Sequence, residues 1–298
     1  VHIYEKVKDS HILIIGGTGF IGKELTRTLA SNGFSNVKIV SRSEHGVDVT
    51  NCASLDDHIS KADVVINMAG LVSFLKKDQR LLMAVNYKGA LNVLKACEKY
   101  GKRLIHISSS AALGFGDGVI NEDFKFDWNK YKFLNYSYSK HLPNAAICNS
   151  ELATNIIYPP LVVAPGDKTN TKKLIDYVKG KKFVFAPPGE NGIIHVKDLC
   201  EAIVLILEKA NNKQNYIVNG ENITFKNLFS AIQKKGRVVK IPKFLGRAVY
   251  TVGRILEFFG LSVPSESLFL GFKKRHFSSD KIKKDLGFEP SHDPKNIN

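Results

Sequence analysis

His11-Ile12-Leu13-Ile14-Ile15-Gly16-Gly17-Thr18-Gly19-Phe20-Ile21-Gly22 is an apolar run that ends in a cluster of glycines. Four consecutive apolar residues, Ile12 to Ile15, suit a strand buried on both faces of a parallel sheet. Beyond the glycines, Ile21, Leu25, Leu29 and Ala30 fall on one face of a helix. A glycine triplet alone marks a turn. Between a strand and a helix it becomes a dinucleotide site, because glycine lets the backbone approach a pyrophosphate held on the N–H groups of the helix start. Two registers fit, Gly17-x-Gly19-x-x-Gly22 and Gly16-x-x-Gly19-x-x-Gly22.

Working outward, strands are expected at Val37–Ser41, Gly46–Val49, Ala62–Asn67, Arg103–Ser110 and Thr154–Tyr158, with helices at Ser54–Ser60, Leu81–Tyr100 and Tyr136–Asn149. This alternation predicts an α/β fold, a doubly wound parallel (Rossmann) sheet. Arg42–His45 is too short for a crossover helix, so that corner of the sheet should be reduced. Residues 1–163 are expected to form the dinucleotide-binding domain. Residues 164–298 should form mainly a smaller substrate-binding lobe, with some segments returning to the sheet. Its helices are expected at Lys172–Lys179, Val196–Lys209, Phe225–Lys234, Lys243–Phe259 and Ser279–Leu286, and its strands at Gly192–His195 and Tyr216–Val218.

The chain has 298 residues, 44% of them hydrophobic, enough for a sizeable core. Its 43 basic and 28 acidic residues leave a net charge of +15. The basic residues come as short scattered pairs without interleaved aromatics, so nucleic-acid binding is not expected. The four cysteines show no metal-ligand spacing and suit reduced thiols, and no export segment is apparent. A cytoplasmic enzyme is expected, with no metal, a small-molecule substrate, and a homodimer as the oligomer to look for. Lys243–Phe259 reads as a cationic amphipathic helix with Leu245, Val249, Val252, Leu256 and Phe259 on one face. It can lie on an anionic bilayer or pack its apolar stripe inward; inward packing is expected.

Tyr136 and Lys140 are four apart, hence on one helix face. A phenol titrates near 10, and a neighbouring cation favours the phenolate, so such a tyrosine can exchange a proton with a carbonyl oxygen or an alcohol. Ser108-Ser109-Ser110 closes a strand at the carboxyl edge of the sheet, where ligands bind in such folds. One of these hydroxyls can hold the substrate oxygen; the others can make turn hydrogen bonds.

With these pieces the sequence resembles the extended short-chain dehydrogenase/reductases, the NAD-dependent epimerase/dehydratase family. The resemblance rests on Gly16–Gly22, Asp48-Val49, Asp63–Gly70, Asn86–Leu94, Ser108–Gly114, Tyr136-x-x-x-Lys140, Pro159–Asp167, Ile194–Asp198 and Ser279–Gly287. It implies that Gly16, Gly19 and Gly22 seat the pyrophosphate, with Gly17, Thr18, Phe20 and Ile21 beside it. Asp48 and Val49 would flank the adenine. Met68, Ala69 and Gly70 would pass beneath the cofactor, and Ser108, Tyr158 and Pro159 would border it. Ser110 would orient the substrate oxygen, Tyr136 act as acid–base, and Lys140 bind the nicotinamide ribose. Asn86 is expected to support the scaffold, and His195 and Asp198 to be structural as readily as substrate-binding. At the end of the second strand, Ser41 and Arg42 suit a 2′-phosphate, so NADP(H) is expected over NAD(H), with Glu44 nearby as the complication.

Two departures from the family pattern are the short Arg42–His45 connection and Pro143, which removes an N–H from the helix after Lys140. Leu71–Phe74, the aromatic loop (Phe115, Phe124, Phe126, Trp128, Tyr131, Phe133) and Phe277–Lys281 look most like the dihydroflavonol-reductase and 3-hydroxysteroid-dehydrogenase branch. The implied activity is interconversion of a carbonyl and an alcohol on a rather apolar molecule. The aromatics would line its pocket or pack the lobes together. A nucleotide-sugar epimerase, dehydratase or reductase is the first alternative, and a non-catalytic nucleotide-binding scaffold the second.

Overall fold

The computed structural model describes residues 7–168, 170–233 and 235–297. Its centre is a six-stranded parallel sheet built from β1 (Ile12–Ile15), β2 (Val37–Val40), β3 (Val64–Asn67), β4 (Arg103–Ile107), β6 (Thr154–Tyr158) and β10 (Asn215–Ile217), in the order β2-β1-β3-β4-β6-β10. β1 lies in register between β2 and β3, pairing Ile12 with Val37 and with Val64.

Successive residues of each strand face opposite sides. Ile12 and Ile14 point to one core, where α1 (Phe20–Ser31) and α6 (Val196–Lys209) supply Leu25, Leu29, Leu199 and Ile203. Leu13 and Ile15 point to the other, against Leu55 and Ile59 of α2 (Ala53–Ser60) and Val93, Leu94 and Cys97 of α3 (79–100). Each fully buried Leu or Ile contributes about 1.5–3 kcal/mol, so these two layers anchor the sheet. Helix α3 is continuous but changes pitch, with Met83–Gly89 wound as a π-helix between Gln79–Leu82 and Ala90–Tyr100.

The strand expected at Gly46–Val49 does not form. After β2 the chain makes a single helical turn, Arg42–His45, started by Ser41 Oγ accepting from Glu44 N–H and closed by Gly46 at φ +68°. Four residues cannot carry the chain across the sheet, so Asp48 and Val49 run as irregular backbone. Asp48 Oδ1 accepts from the Thr50 amide and hydroxyl, each at 2.8 Å.

The second half supplies β10 to the main sheet and builds smaller ones. β9 (Glu190–His195) lies between β7 (Leu161–Val163), parallel, and β11 (Glu221–Thr224), antiparallel. β8 (Phe183–Ala186) pairs with β12 (Arg237–Lys240), and β5 (Val119–Ile120) with β13 (His276–Phe277). The remaining helices are α4 (Asn135–Asn149), α5 (Asn170–Val178), α7 (Phe225–Ile232), α8 (Gly246–Phe258), α9 (Ser265–Gly271) and α10 (Asp280–Leu286).

Helix α8 departs from expectation. Val252, Leu256 and Phe259 of its apolar stripe are exposed, and Gly253 is its buried residue. Among the described residues, no helix is long and apolar enough to cross a membrane.

Candidate active site

The carboxyl ends of β1, β3, β4 and β6 open into one cavity of about 510 Å³. The backbone there continues the sheet pairing past the strands: Gly16 N–H donates to Val40 O, Met68 N–H to Ile15 O, and Ser108 N–H to Ile157 O. Gly16, Gly19 and Gly22 all border the cavity, with Phe20 and Ile21 between them. The Gly16-x-x-Gly19-x-x-Gly22 register is therefore the one facing the cavity. Gly17 is instead tucked against Ile39, and Thr18 does not line the cavity.

These glycines are fixed by the available space. Gly16 has φ +83°, and a Cβ there would stand 2.9 Å from Ala69 N. At Gly22 a Cβ would meet Gly17 O at 2.3 Å, so only glycine lets α1 start this close to the turn. Gly19 caps α1 without a side-chain hydrogen bond, and no acid sits in the first turn. A glycine cradle leading to a positive, acid-free helix end fits the pyrophosphate of a dinucleotide.

Met68, Ala69 and Gly70 form the opposite wall. Asn86, from the π-helical segment, holds that wall in place. Its Oδ1 accepts from Leu71 N–H at 2.8 Å, and its Nδ2 donates to Leu71 O and to Ser139 Oγ, each at 3.0 Å. Asn86 is thus a scaffold residue.

Helix α4 brings Tyr136 and Lys140 to the cavity; both are buried and both line it. Lys140 Nζ donates to Ile107 O at 3.3 Å, and a Cβ on Gly70 would lie 2.8 Å from that nitrogen. Gly70 therefore leaves the room that the ammonium occupies. Burial lowers the Lys140 pKa to about 8. Tyr136 packs edge-on against Phe74, with centroids 5.2 Å apart. Burial raises its pKa, against a hydrogen bond with Ser109 that lowers it, and the Glu266 carboxylate raises it further. The expected lowering by Lys140 is not seen: desolvation of the phenolate dominates, and the opposing influence is Ser109.

The three serines have separate tasks. Ser108 Oγ donates to Lys140 O at 3.3 Å and Asn144 Oδ1 at 3.2 Å, which fastens β4 to α4. Ser109 Oγ accepts from Ala111 N–H, and its hydroxyl is close enough to Tyr136 to lower the phenol's pKa. Ser110 lines the cavity too, and its N–H donates to Pro159 O at 2.9 Å. Ser109 and Ser110 thus both face the cavity that Tyr136 lines.

Several expected cofactor contacts lie beyond the cavity lining. Ser41, Arg42 and Asp48 stand past the end of β2 and do not line the cavity. Arg42 is exposed, and the Asp48 carboxyl is held below its usual range, first by the Thr50 amide and also by Arg42. Val49 packs against Gly89. Pro159 lines the cavity, whereas the Tyr158 side chain belongs to the core on the other face of the sheet. His195 caps α6 by accepting from Lys197 N–H and stacks on His292 at 4.9 Å. Asp198 holds Ser291 and His292, so both act as fasteners for the C-terminal segment.

Three participants carried no signal in sequence. Glu266 of α9 caps the start of α4: its carboxylate accepts from Tyr136 N–H at 2.9 Å, Ser137 N–H at 3.0 Å and Ser137 Oγ at 2.8 Å. Arg275 lines the cavity, is buried, and its Nε has no hydrogen-bond partner among the described residues; burial lowers its pKa to about 10. Asn191 also lines the cavity, with a buried Oδ1 in the same condition. Nothing local in 266–275 announces these roles, which depend on a fold between distant segments.

The aromatic loop packs the lobes together. Phe115, Phe126, Trp128, Tyr131 and Phe133 cluster with Phe269 and Leu270 of α9. The apolar cavity wall comes instead from Phe20, Val72, Phe74, Leu161, Val162 and Phe225. Pro143 is buried inside α4, and the helix runs on through it. Glu266 at the helix start and Ser108 at Lys140 O hold the segment that precedes it.

Comparison with known proteins agrees with this geometry. The profile of the NAD dependent epimerase/dehydratase family matches residues 12–219. Anthocyanidin reductase of Vitis vinifera is 26% identical, the match covering 78% of this chain and 83% of the relative. The fold superposes on RMD from Pseudomonas aeruginosa complexed with NADPH with a TM-score of 0.71 at 18% identity, covering 96% of each chain. It superposes on the UDP-glucose 4-epimerase of Thermus thermophilus in complex with NAD with a TM-score of 0.70 at 18% identity, covering 96% of this chain and 95% of the other. A glycine cradle, a buried tyrosine–lysine helix and a family match over two-thirds of its length make this chain a member of the NAD dependent epimerase/dehydratase family and an NAD(P)-dependent oxidoreductase.

Proposed function

We propose that the protein interconverts a carbonyl and an alcohol on a small, largely apolar substrate, with NADP(H) preferred over NAD(H). The observation that carries this reading is the Tyr136 phenol, buried beside Ser109 in a cavity with apolar walls. When bound, the dinucleotide supplies or accepts the hydride at the carbonyl carbon. Tyr136 is kept protonated at neutral pH by its burial, so it donates to the carbonyl oxygen as charge develops there. Ser109 orients that oxygen through its hydroxyl, and Ser110 lines the same wall. Lys140 holds the nicotinamide ribose and provides the positive charge that stabilises the phenolate left behind. Phe74 fixes the ring of Tyr136 from the side.

Ser41 and Arg42, beyond β2, support the preference for a 2′-phosphate. Four free cysteines support a reducing, cytoplasmic setting. A ketoreductase of Stigmatella aurantiaca among the relatives, 22% identical, supports carbonyl chemistry. A second reading, a nucleotide-sugar epimerase, dehydratase or reductase, is favoured by the buried Arg275 guanidinium, which suits an anionic substrate.

The test is a panel of apolar ketones and nucleotide sugars, followed by NADPH absorbance, for wild type and Tyr136→Phe. Turnover of a ketone by wild type and its loss in the variant supports the proposal. Turnover confined to nucleotide sugars would replace it with the second reading.

A further inference from the structure

Helix α8 has its two faces reversed. Gly246, Tyr250, Gly253 and Glu257 recur at helical spacing and form the protein-facing side. A Cβ on Gly246 would strike Phe272, and one on Gly253 would lie 2.9 Å from Leu268 Cδ1. Tyr250 packs on Phe133 and Phe269. Glu257 is turned in, accepting from Ser265 Oγ at 2.7 Å and pairing with Arg254 at 3.3 Å. The two small glycines let the helix lie close to the fold.

The opposite side, which meets solvent, is apolar. Phe244 is 81% exposed, Phe258 82% and Phe259 73%, with Val252, Ile255, Leu256 and Leu261 exposed between and beside them. Eight of the fifteen large apolar side chains exposed among the described residues fall in 244–261. Such clustering marks a docking surface.

Charge identifies what docks. Residues 243–262 contain Lys243, Arg247 and Arg254, and their one acid, Glu257, is the inward-turned carboxylate already paired. Lys77 extends the basic rim, its Nζ donating to Ser262 Oγ at 3.2 Å. An exposed apolar face edged by cations alone is complementary to an anionic lipid surface. We infer that α8 and the turns at its ends dock on an anionic bilayer, with Phe244, Phe258 and Phe259 below the headgroups and Lys243, Arg247 and Lys77 against them.

Docking would set the cavity beside the lipid. α8 rests on α9, whose Ser267 and Leu270 line the cavity, and Val72 lines it while also reaching the surface. Substrate entry from the bilayer rests on the apolar-substrate reading above; the docking itself does not.

The full chain is sedimented with vesicles of phosphatidylcholine alone or with about 30% phosphatidylserine, at low and high salt. Wild type should pellet with the anionic vesicles and be released by salt. Phe258→Ser combined with Phe259→Ser should weaken partitioning at least about tenfold, while thermal melting, NADPH titration and the mass by light scattering stay unchanged. Wild type remaining in the supernatant with anionic vesicles would overturn the inference. So would a wild-type dimer that the double variant splits in the absence of lipid, since the face would then belong to a second copy.

Discussion

At the residue scale, burial tunes the acid and its lysine in opposite directions. Tyr136→Phe removes one oxygen and keeps the ring against Phe74. Turnover should fall by about 10²–10⁴, with NADPH affinity retained, as read by ketone-dependent NADPH consumption and by fluorescence titration. Lys140 loses its proton near pH 8 because burial disfavours the ammonium. Its charge is present below that pH and is lost above it, so NADPH affinity should decline as the pH rises through about 8. Titration calorimetry from pH 6 to about 9.5 should show this limb in wild type and not in Lys140→Arg, whose charge persists throughout. The same shift acts on folding with the opposite slope. Between the folded value of about 8 and the unfolded value of 10.5 the unfolded chain holds more protons, so this group adds stability as pH rises. Arg42→Ala should weaken NADPH binding and leave NADH binding nearly unchanged; equal losses for both would remove Arg42 from the 2′-phosphate.

At the element scale, α4 is positioned from outside. Glu266 satisfies backbone N–H groups at its start, where a helix has no partners of its own, and places a carboxylate at the positive end of the dipole. Glu266→Ala should cost about 1–3 kcal/mol by urea denaturation and lower turnover by displacing Tyr136, whereas Glu266→Gln should recover part of both. The glycine turn makes a sharper prediction. Gly22→Ala drives a methyl into the Gly17 carbonyl, so dinucleotide affinity should fall well beyond tenfold in the same titration. These two elements also show what sequence can disclose. The glycine turn, the buried strands and the Tyr136–Lys140 pair are legible because each is written within twenty residues and enforced by local sterics or helical spacing. The absence of a strand at Gly46–Val49 is not, since apolar alternation cannot report that no crossover precedes it. The contact of Ser109 with Tyr136, and Glu266 at the helix start, depend on how the end of β4 and α9 meet α4. No spacing within either segment encodes that meeting. The orientation of α8 escapes the sequence for a related reason: the apolar stripe is visible there, but the glycines on the other face determine which side touches protein.

At the scale of the whole molecule, the two halves of the chain share one site. The sheet takes β10 from the second half, Ser267, Leu270 and Arg275 complete the cavity, and β13 pairs with β5. Loss of the Arg275 cation should therefore be felt at the substrate and not at the dinucleotide. Arg275→Met should raise KM for the preferred substrate with NADPH affinity unchanged, measured by steady-state kinetics and direct titration. The cap on α4 has a further consequence for how the protein is made. During synthesis Tyr136 emerges 130 positions before the carboxylate that seats it. Until that carboxylate arrives, the Tyr136 and Ser137 N–H groups lack the acceptor they have in the folded protein. A ribosome that stops short of Glu266 thus releases a chain whose acid–base residue lacks the carboxylate that fixes its helix start.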